Sequence, residues 1–480
     1  MHHSNMYQPT RPQLQPDPIT MHVSRSDAGS KATFQRAVHA LQTMCCEDIG
    51  TPPSTPIRET IIGVAPATRY APEANSDTPK IPYNFNASQR EAVLLAMVND
   101  LTLVQGPPGT GKTQVSVCIM ENWTLRDPLK KVMATSTCHE AVHNLARGLL
   151  IKHVKAYRTG HIESLPHDLH WYHLGHPKGR DAQRNFRLAS VICTTAMSNF
   201  DGALQNAEFQ RILFDEAAQA TEINTLVPIC KGSSQVVLVG DECQLPPTVS
   251  EAAAELEFDV SLFERLSRQA VPITLLNIQY RMPSAIFEFS RRRIYNNAVT
   301  DADEVRRKSV PTQFPWPVAS VPVCVLTVPG EENKNANKKL ENQAEAQVVI
   351  SVTALLRRKG IDPKDIAILV PYAGQVELLQ SLLKKEVEVC SVDQYQGKES
   401  RFIIFNTVRS NEQKKVGFLA EKRRLNVALT RAKEGLICVV NPETLANDKG
   451  TMGVWLKWAQ QKKVVVPASK YFCKAIKNKE

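Results

Sequence analysis

The chain of 480 residues is short of several things. Its 11 cysteines never stand as C-x-x-C, so neither a zinc ribbon nor a disulfide framework is expected. That usage fits a reducing compartment, cytosol or nucleus. No apolar run approaches the ~18–20 residues that a membrane-spanning helix needs. The opening stretch MHHSNMYQPTRPQLQPDP has no apolar core, so no secretory signal is expected. No repeat at a solenoid period is visible. Hydrophobic residues make up 42%, ordinary for a chain that buries a core, which excludes collagen-like and wholly disordered classes.

Charge is placed unevenly. The formal net charge is +10. Residues 1–80 and 81–270 are neutral or slightly acidic, whereas residues 271–480 hold 34 basic and 21 acidic side chains. A basic C-terminal part attracts polyanions, nucleic acid first among them; a merely soluble basic surface is the alternative. Arg291-Arg292-Arg293, Lys414-Lys415 and Lys422-Arg423-Arg424 are its densest clusters. The first reads as a solvated face, and the last as flanking a strand-contacting motif.

Ten of the 30 prolines lie in residues 1–80, which read as mostly disordered with one helix near Phe34–Met44. From residue 81 the texture changes. LTLVQ (101–105), KVMATS (131–136), ASVICTT (189–195), RILFDE (211–216), QVVLVGDE (235–242), DIAILVPY (365–372), SRFIIFNTV (400–408) and GLICVV (435–440) read as strands buried on both faces. Segments with helical spacing alternate with them. The expectation is an α/β fold of two parallel-sheet domains, 81–270 and 271–465, with a His-rich insertion at 157–189 and a basic tail at 466–480.

GPPGTGKT (106–113) fits G-x-x-x-x-G-K-[ST] between a strand and a helix, the context of a phosphate-binding loop. Its glycines let backbone N–H groups close on phosphates. Lys112 would reach the β/γ-phosphates and the Thr113 hydroxyl would hold Mg²⁺. Strand RILF ends in Asp215-Glu216, at the strand end where open α/β sheets bind ligands. Asp215 would serve the metal, and Glu216 would orient and deprotonate the attacking water. Arg281 and Arg431 are candidates for the cations that meet the developing γ-phosphate charge. Both lie in the second domain, so ATP would sit in the cleft between the two.

In order the chain reads NASQREAV, GPPGTGKT, ATSTCHEAV, VICTTAMS, DEAAQ, GDECQLPP, QYRMP, LVPYAGQ, SVDQYQGKES and RRLNVALTRAK. This series, from about residue 84 to 445, resembles the superfamily 1B helicases of the up-frameshift type, a group that includes the senataxin-like proteins. The resemblance implies two RecA-like P-loop NTPase domains, ATP hydrolysis with Mg²⁺, and 5′→3′ movement on single-stranded RNA or DNA. Gln89 resembles the glutamine that reads the adenine edge, and Tyr280 the aromatic that stacks on it. Gln244 resembles the γ-phosphate sensor that couples the domains. Arg281 and Arg431 resemble the two phosphate-contacting arginines, and Glu399 the glutamate that contacts ribose or supports the site. The ATP set then comprises Gln89, Gly106, Pro107, Pro108, Gly109, Thr110, Gly111, Lys112, Thr113, Gln114, Tyr280 and Glu399. Thr194, Thr195, Pro371, Tyr372 and Ser391 fall in motifs that line the strand-binding face.

The chain departs from the family pattern in places. Cys138-His139 stands where Ser-Asn is usual, His143 where Asp is usual, and Pro283-Ser284 where His-Pro is usual. Only residues 147–189 separate two motifs between which relatives insert a subdomain. These features suggest a trimmed motor core, active on ATP and weak or partner-dependent in unwinding. An ATP-gated clamp or scaffold on nucleic acid is the alternative, and the N-terminal segment is a candidate site for protein partners. His161, His167, His170, His173 and His176 read as an exposed insertion near the strand path, with a metal cluster as the alternative.

Overall fold

The computed structural model describes residues 28–46, 50–66, 78–176, 179–198, 204, 206–269 and 271–477. Two parallel sheets dominate. The first comprises β1 (Leu101–Gln105), β2 (Val132–Ser136), β3 (Ala156–Arg158), β4 (Val191–Thr195), β5 (Arg211–Phe214), β6 (Gln235–Gly240) and β7 (Ile273–Leu275). Its order is β3-β4-β2-β5-β6-β1-β7. Two short pairs follow, β8 (Ile278–Gln279) with β9 (Thr300–Asp301) and, after β10 (Val323–Thr327), β11 (Asn333–Lys334) with β12 (Leu340–Glu341). The second large sheet joins β10 to β13 (Ile366–Val370), β14 (Glu388–Ser391), β15 (Ser400–Asn406), β16 (Ala432–Val440) and β17 (Val465–Pro467), in the order β14-β13-β15-β16-β10-β17.

All eight apolar runs singled out in the sequence are strands of these sheets. They are buried on both faces because helices cover both sides, so unbroken apolar runs replace alternation. Each sheet separates two cores: one face of the first packs around Trp123, Val115 and Leu145, the other around Phe209, Phe214 and Phe263. In the second, Phe287, Tyr295 and Trp455 lie on one face, and Phe314, Val349 and Phe402 on the other.

Four boundaries differ from the sequence reading. β7 pairs with β1, Leu103 opposite Ile273, so the first sheet runs past residue 270. The N-terminal segment is not all outside the domain. Helices Ala28–Cys45 and Thr55–Ile62 are formed, and Ala40, Met44, Ile57 and Ile61 enter the first domain's core. Burying each isoleucine contributes about 1.5–3 kcal/mol, enough to hold a proline-rich segment in place. Residues 1–27, part of the expected disorder, lie outside the described residues. The expected basic tail begins as sheet: Leu326 pairs with Val466. Beyond it the Tyr471 hydroxyl donates to the Pro315 carbonyl at 2.7 Å and its ring stacks on Phe314. Finally, β3 belongs to the sheet edge, so the His-rich insertion starts after Arg158. Among the described residues no helix is long and apolar enough to cross a membrane.

A candidate nucleotide site between two domains

The loop 106–111 leaves β1 and enters the helix Lys112–Arg126. Gly109 and Gly111 sit at φ 76° and 85°, where a side chain would be strained. A Cβ on Gly106 would lie 2.0 Å from Lys112 Cγ. The loop is thus wrapped around Lys112, whose Nζ donates to the Gly106 carbonyl at 2.8 Å and stands 3.8 Å from Glu216 Oε1. The first N–H groups of a helix have no partner within it, so this helix start is an anion-binding arrangement.

β5 and β6 end beside the loop. Gly106 N donates to the Gly240 carbonyl at 2.8 Å, which fixes the loop against the strand that carries Asp241 and Gln244. Asp215 and Glu216 are both buried. Burial, then the neighbouring Glu216, pushes the Asp215 carboxyl up to about 7, against the pull of Lys112. Glu216 itself adopts φ 54°, which turns its side chain toward Lys112, and Oε2 accepts from Gln219 at 2.9 Å.

The second domain closes the other side. Tyr280 N donates to the Gly109 carbonyl at 2.8 Å, and a Cβ on Gly109 would lie 2.5 Å from Arg281 Cβ. Arg281 Nη2 pairs with Glu399 Oε2 at 2.6 Å, and Lys433 Nζ with Glu399 Oε1 at 2.6 Å. Burial opposes ionisation of Glu399, but Arg281 and Lys433 outweigh it and lower its pKa. Arg431, 2% exposed, donates to Gln244 Oε1 at 2.8 Å. The result is a cavity of about 520 Å³ whose walls come from both domains. Of the sequence-selected residues, Gln89, Pro107, Pro108, Gly109, Thr110, Gly111, Lys112, Thr113, Gln114, Glu216, Tyr280, Arg281, Glu399 and Arg431 line it; Asp215 and Gln244 stand behind them.

Gln89 has a second task. Its Oε1 accepts from Asn86 N at 3.0 Å, and Asn86 Oδ1 accepts from Gln89 N at 2.9 Å, a reciprocal cap on the helix Ala87–Val98. Its Nε2 donates to the Thr110 carbonyl at 3.1 Å. The spacing N-x-x-Q carried this signal, and Asn86, which also donates to the Tyr280 hydroxyl at 2.9 Å, was overlooked. Asp241, Tyr295, Asn426 and Lys433 were overlooked too, because no single strand or turn brings them together.

The strand-face candidates fare differently. Thr194 is fully buried and its hydroxyl accepts from Thr159 at 2.7 Å, so it faces inward, contrary to the expected surface contact. Thr195 shares a hydrogen bond with Ser198 at 2.6 Å. Ser391 Oγ accepts from Gln394 N at 3.2 Å on the exposed end of β14. Pro371 follows β13, and next to it the Tyr372 ring lies under the Arg409 guanidinium, 5.7 Å from the ring centre. His139 is exposed, with Nδ1 3.2 Å from Arg158 Nη2. In the insertion, His170 and His173 each place Nε2 on a backbone carbonyl, of Leu165 and Gly160. Among the described residues no group of three or more His, Cys, Asp or Glu side chains is placed to hold a metal.

A glycine loop around a lysine, an acidic pair one strand away and two arginines from a second α/β domain define a P-loop nucleotide-binding protein with a shared interdomain site. Comparison with known proteins agrees. One AAA domain model matches residues 84–177 and 176–252, and another AAA domain model matches 258–443. The ATP-dependent helicase NAM7 of Saccharomyces cerevisiae is 34% identical over 76% of this chain and 42% of its own length. The regulator of nonsense transcripts 1 homolog of Drosophila melanogaster is 33% identical over 82% of this chain and 37% of its own. The DNA polymerase alpha-associated DNA helicase A of Schizosaccharomyces pombe is 29% identical over 80% and 67%. The chain belongs to the superfamily 1 helicases of the up-frameshift type. It spans less than half the length of the first two relatives.

Proposed function

We propose that the chain hydrolyses ATP in the interdomain cleft and uses the cycle to move 5′→3′ along single-stranded RNA or DNA. The observation that carries this reading is the convergence of Arg281, Glu399 and Arg431 from one domain on the phosphate loop of the other. Adenine would lie by Gln89 and Tyr280, and the phosphates by the loop and Lys112. Glu216 takes the proton of the attacking water as its oxygen bonds to the γ-phosphorus and the ADP oxygen leaves. Arg281 and Arg431 meet the charge that develops on the transferred group. The donor set fits Mg²⁺: a threonine hydroxyl at Thr113, and a buried Asp215 whose pKa is raised by burial and by the neighbouring Glu216. When bound, that ion would neutralise phosphate charge between these two side chains. Residues built from both domains make turnover sensitive to their closure, which is how hydrolysis drives movement. The relatives' names and the basic second domain support a nucleic-acid track.

A clamp that grips without unwinding is the second reading. It is favoured by His139, which stands where the family uses a strand-contacting residue and has Nδ1 engaged with Arg158. ATP turnover measured with poly-U RNA and with oligo-dT DNA, followed by duplexes bearing a 5′ or a 3′ overhang, tests both. Strand-stimulated turnover with displacement from the 5′-tailed duplex supports the motor; stimulation without displacement supports the clamp. No turnover with either strand refutes both.

A further inference from the structure

Tyr295 lies in none of the motifs that mark the nucleotide site. It follows the helix Ser284–Arg293, and its ring packs in the second domain's core, 5.9 Å from Phe287 between ring centres. Its hydroxyl leaves that core and crosses to the first domain, donating to Asp241 Oδ2 at 2.7 Å. The same hydroxyl oxygen accepts from Asn426 Nδ2 at 2.9 Å. Asn426 Nδ2 also donates to the Cys243 carbonyl of the first domain at 2.9 Å.

From Asp241 the network turns toward the cleft. Asp241 Oδ2 accepts from Gln244 Nε2 at 2.7 Å, and Oδ1 accepts from Cys243 N at 3.2 Å. Gln244 Oε1 accepts from Arg431 Nη2 at 2.8 Å. The path runs from Arg431 through Gln244, Asp241 and Tyr295 to Asn426, and it closes on itself because Asn426 and Arg431 lie on and just beyond one helix, Lys422–Leu429. It crosses the domain boundary twice. None of the five residues is more than 5% exposed, so each lost bond would leave a buried polar atom without water to replace it.

The amide of Gln244 is held at both ends, one N–H on Asp241 and the oxygen on Arg431. Turning the amide toward a γ-phosphate oxygen carries Nε2 away from Asp241. That would strip a donor from a buried carboxylate, which tolerates this only if other donors remain. Two remain, the Cys243 N–H and the Tyr295 hydroxyl, and only the second belongs to the other domain. We infer that Tyr295 is a positioning residue that keeps Asp241 paired while Gln244 turns to the γ-phosphate, and so ties recognition of a triphosphate to the seating of the second domain. This rests on the reading of the cleft as an ATP site.

The test uses the full chain and fluorescent ADP and non-hydrolysable ATP analogues, with steady-state phosphate release alongside. Tyr295→Phe keeps the ring packing and removes only the hydroxyl. The expected result is a fall of about tenfold in the preference for triphosphate over diphosphate, inside the range of about 5–150-fold seen for couplings between sites. ADP affinity changes by less than about twofold, and kcat falls more than KM rises. In a Gln244→Ala background the same substitution changes neither ratio further, because its route to the γ-phosphate is already cut. An unchanged preference would overturn the inference. So would equal loss of ADP and ATP-analogue affinity, the mark of a structural defect, or a full second loss in the Gln244→Ala background. A wild-type chain that binds neither nucleotide would instead bring down the ATP-site reading itself.

Discussion

Arg431 in the second domain donates to Gln244 in the first at 2.8 Å, and every hydrogen-bond acceptor this guanidinium meets is neutral. The others are the Val427 and Lys398 carbonyls and the Thr430 hydroxyl. Burial, then the nearby Arg281, pushes its pKa down to about 10. A buried cation with no directly bonded anion is costly, and a γ-phosphate would supply the missing charge. Arg431→Ala is therefore expected to lower kcat at least about 10³-fold, as for other phosphate-contacting arginines. Arg431→Lys should recover little, since lysine lacks the planar fork that reaches Gln244 and a phosphate oxygen in fixed directions. Because Arg431 and Gln244 act as a pair, the double alanine variant should be scarcely slower than Arg431→Ala. Strictly additive losses in phosphate-release assays would contradict this coupling.

Glu216 and Lys112 separate chemistry from binding. Glu216→Gln keeps the shape and the acceptor for Gln219 but cannot take a proton from water. Turnover should fall about 10²–10⁴-fold with ATP binding retained. Lys112→Ala should lose both, since Lys112 faces the phosphates from within the loop. Equilibrium binding of a fluorescent ATP analogue beside turnover distinguishes the two; undiminished turnover in Glu216→Gln would remove it from the role of base.

Local patterns in the sequence carried the phosphate loop, the acidic pair and the eight principal strands, because each is set by neighbours within a few residues. Edge strands were missed where the run is short: β3 and β7 have three residues each, and each is held by a longer neighbouring strand. The helix near Phe34–Met44 was legible, but the second N-terminal helix, Thr55–Ile62, was hidden by Pro52, Pro53 and Pro56, although Pro56 sits in its first turn, where it is tolerated. The Asp241–Tyr295 contact joins residues 54 positions apart across two domains, and nothing in either local stretch signals it.

Thr194 distinguishes motif resemblance from exposure. Its hydroxyl accepts from Thr159 inside the sheet edge, so Thr194→Val should leave affinity for poly-U RNA within about twofold while destabilising the chain by roughly 1 kcal/mol. Thermal unfolding and fluorescence anisotropy measure the two effects. A large loss of strand affinity without loss of stability would return Thr194 to the strand face.

Glu345 makes stability depend on pH away from the nucleotide. It is fully buried, and its Oε2 accepts from Asn406 Nδ2 and, at 2.7 Å, from Val408 N. Val408 sits at φ 69°, a costly conformation for a β-branched residue, and this bond helps hold it there. Burial pushes the carboxyl up from 4.5 to about 8, against the two hydrogen bonds. Between those values the folded chain holds a proton that the unfolded chain has released. The stabilisation is therefore complete below about pH 4.5 and is lost as pH rises through about 8. Glu345→Gln mimics the protonated acid, keeps an oxygen for Asn406 and Val408, and cannot ionise. Its melting temperature should fall less steeply than the wild type's between pH 5 and pH 8.5, and should be the higher of the two at the alkaline end. Asp241 and Glu242, also raised by burial, leave a residual slope in both proteins, so the difference between the curves is the readout. Parallel curves would show that Glu345 is already ionised in the folded chain at neutral pH.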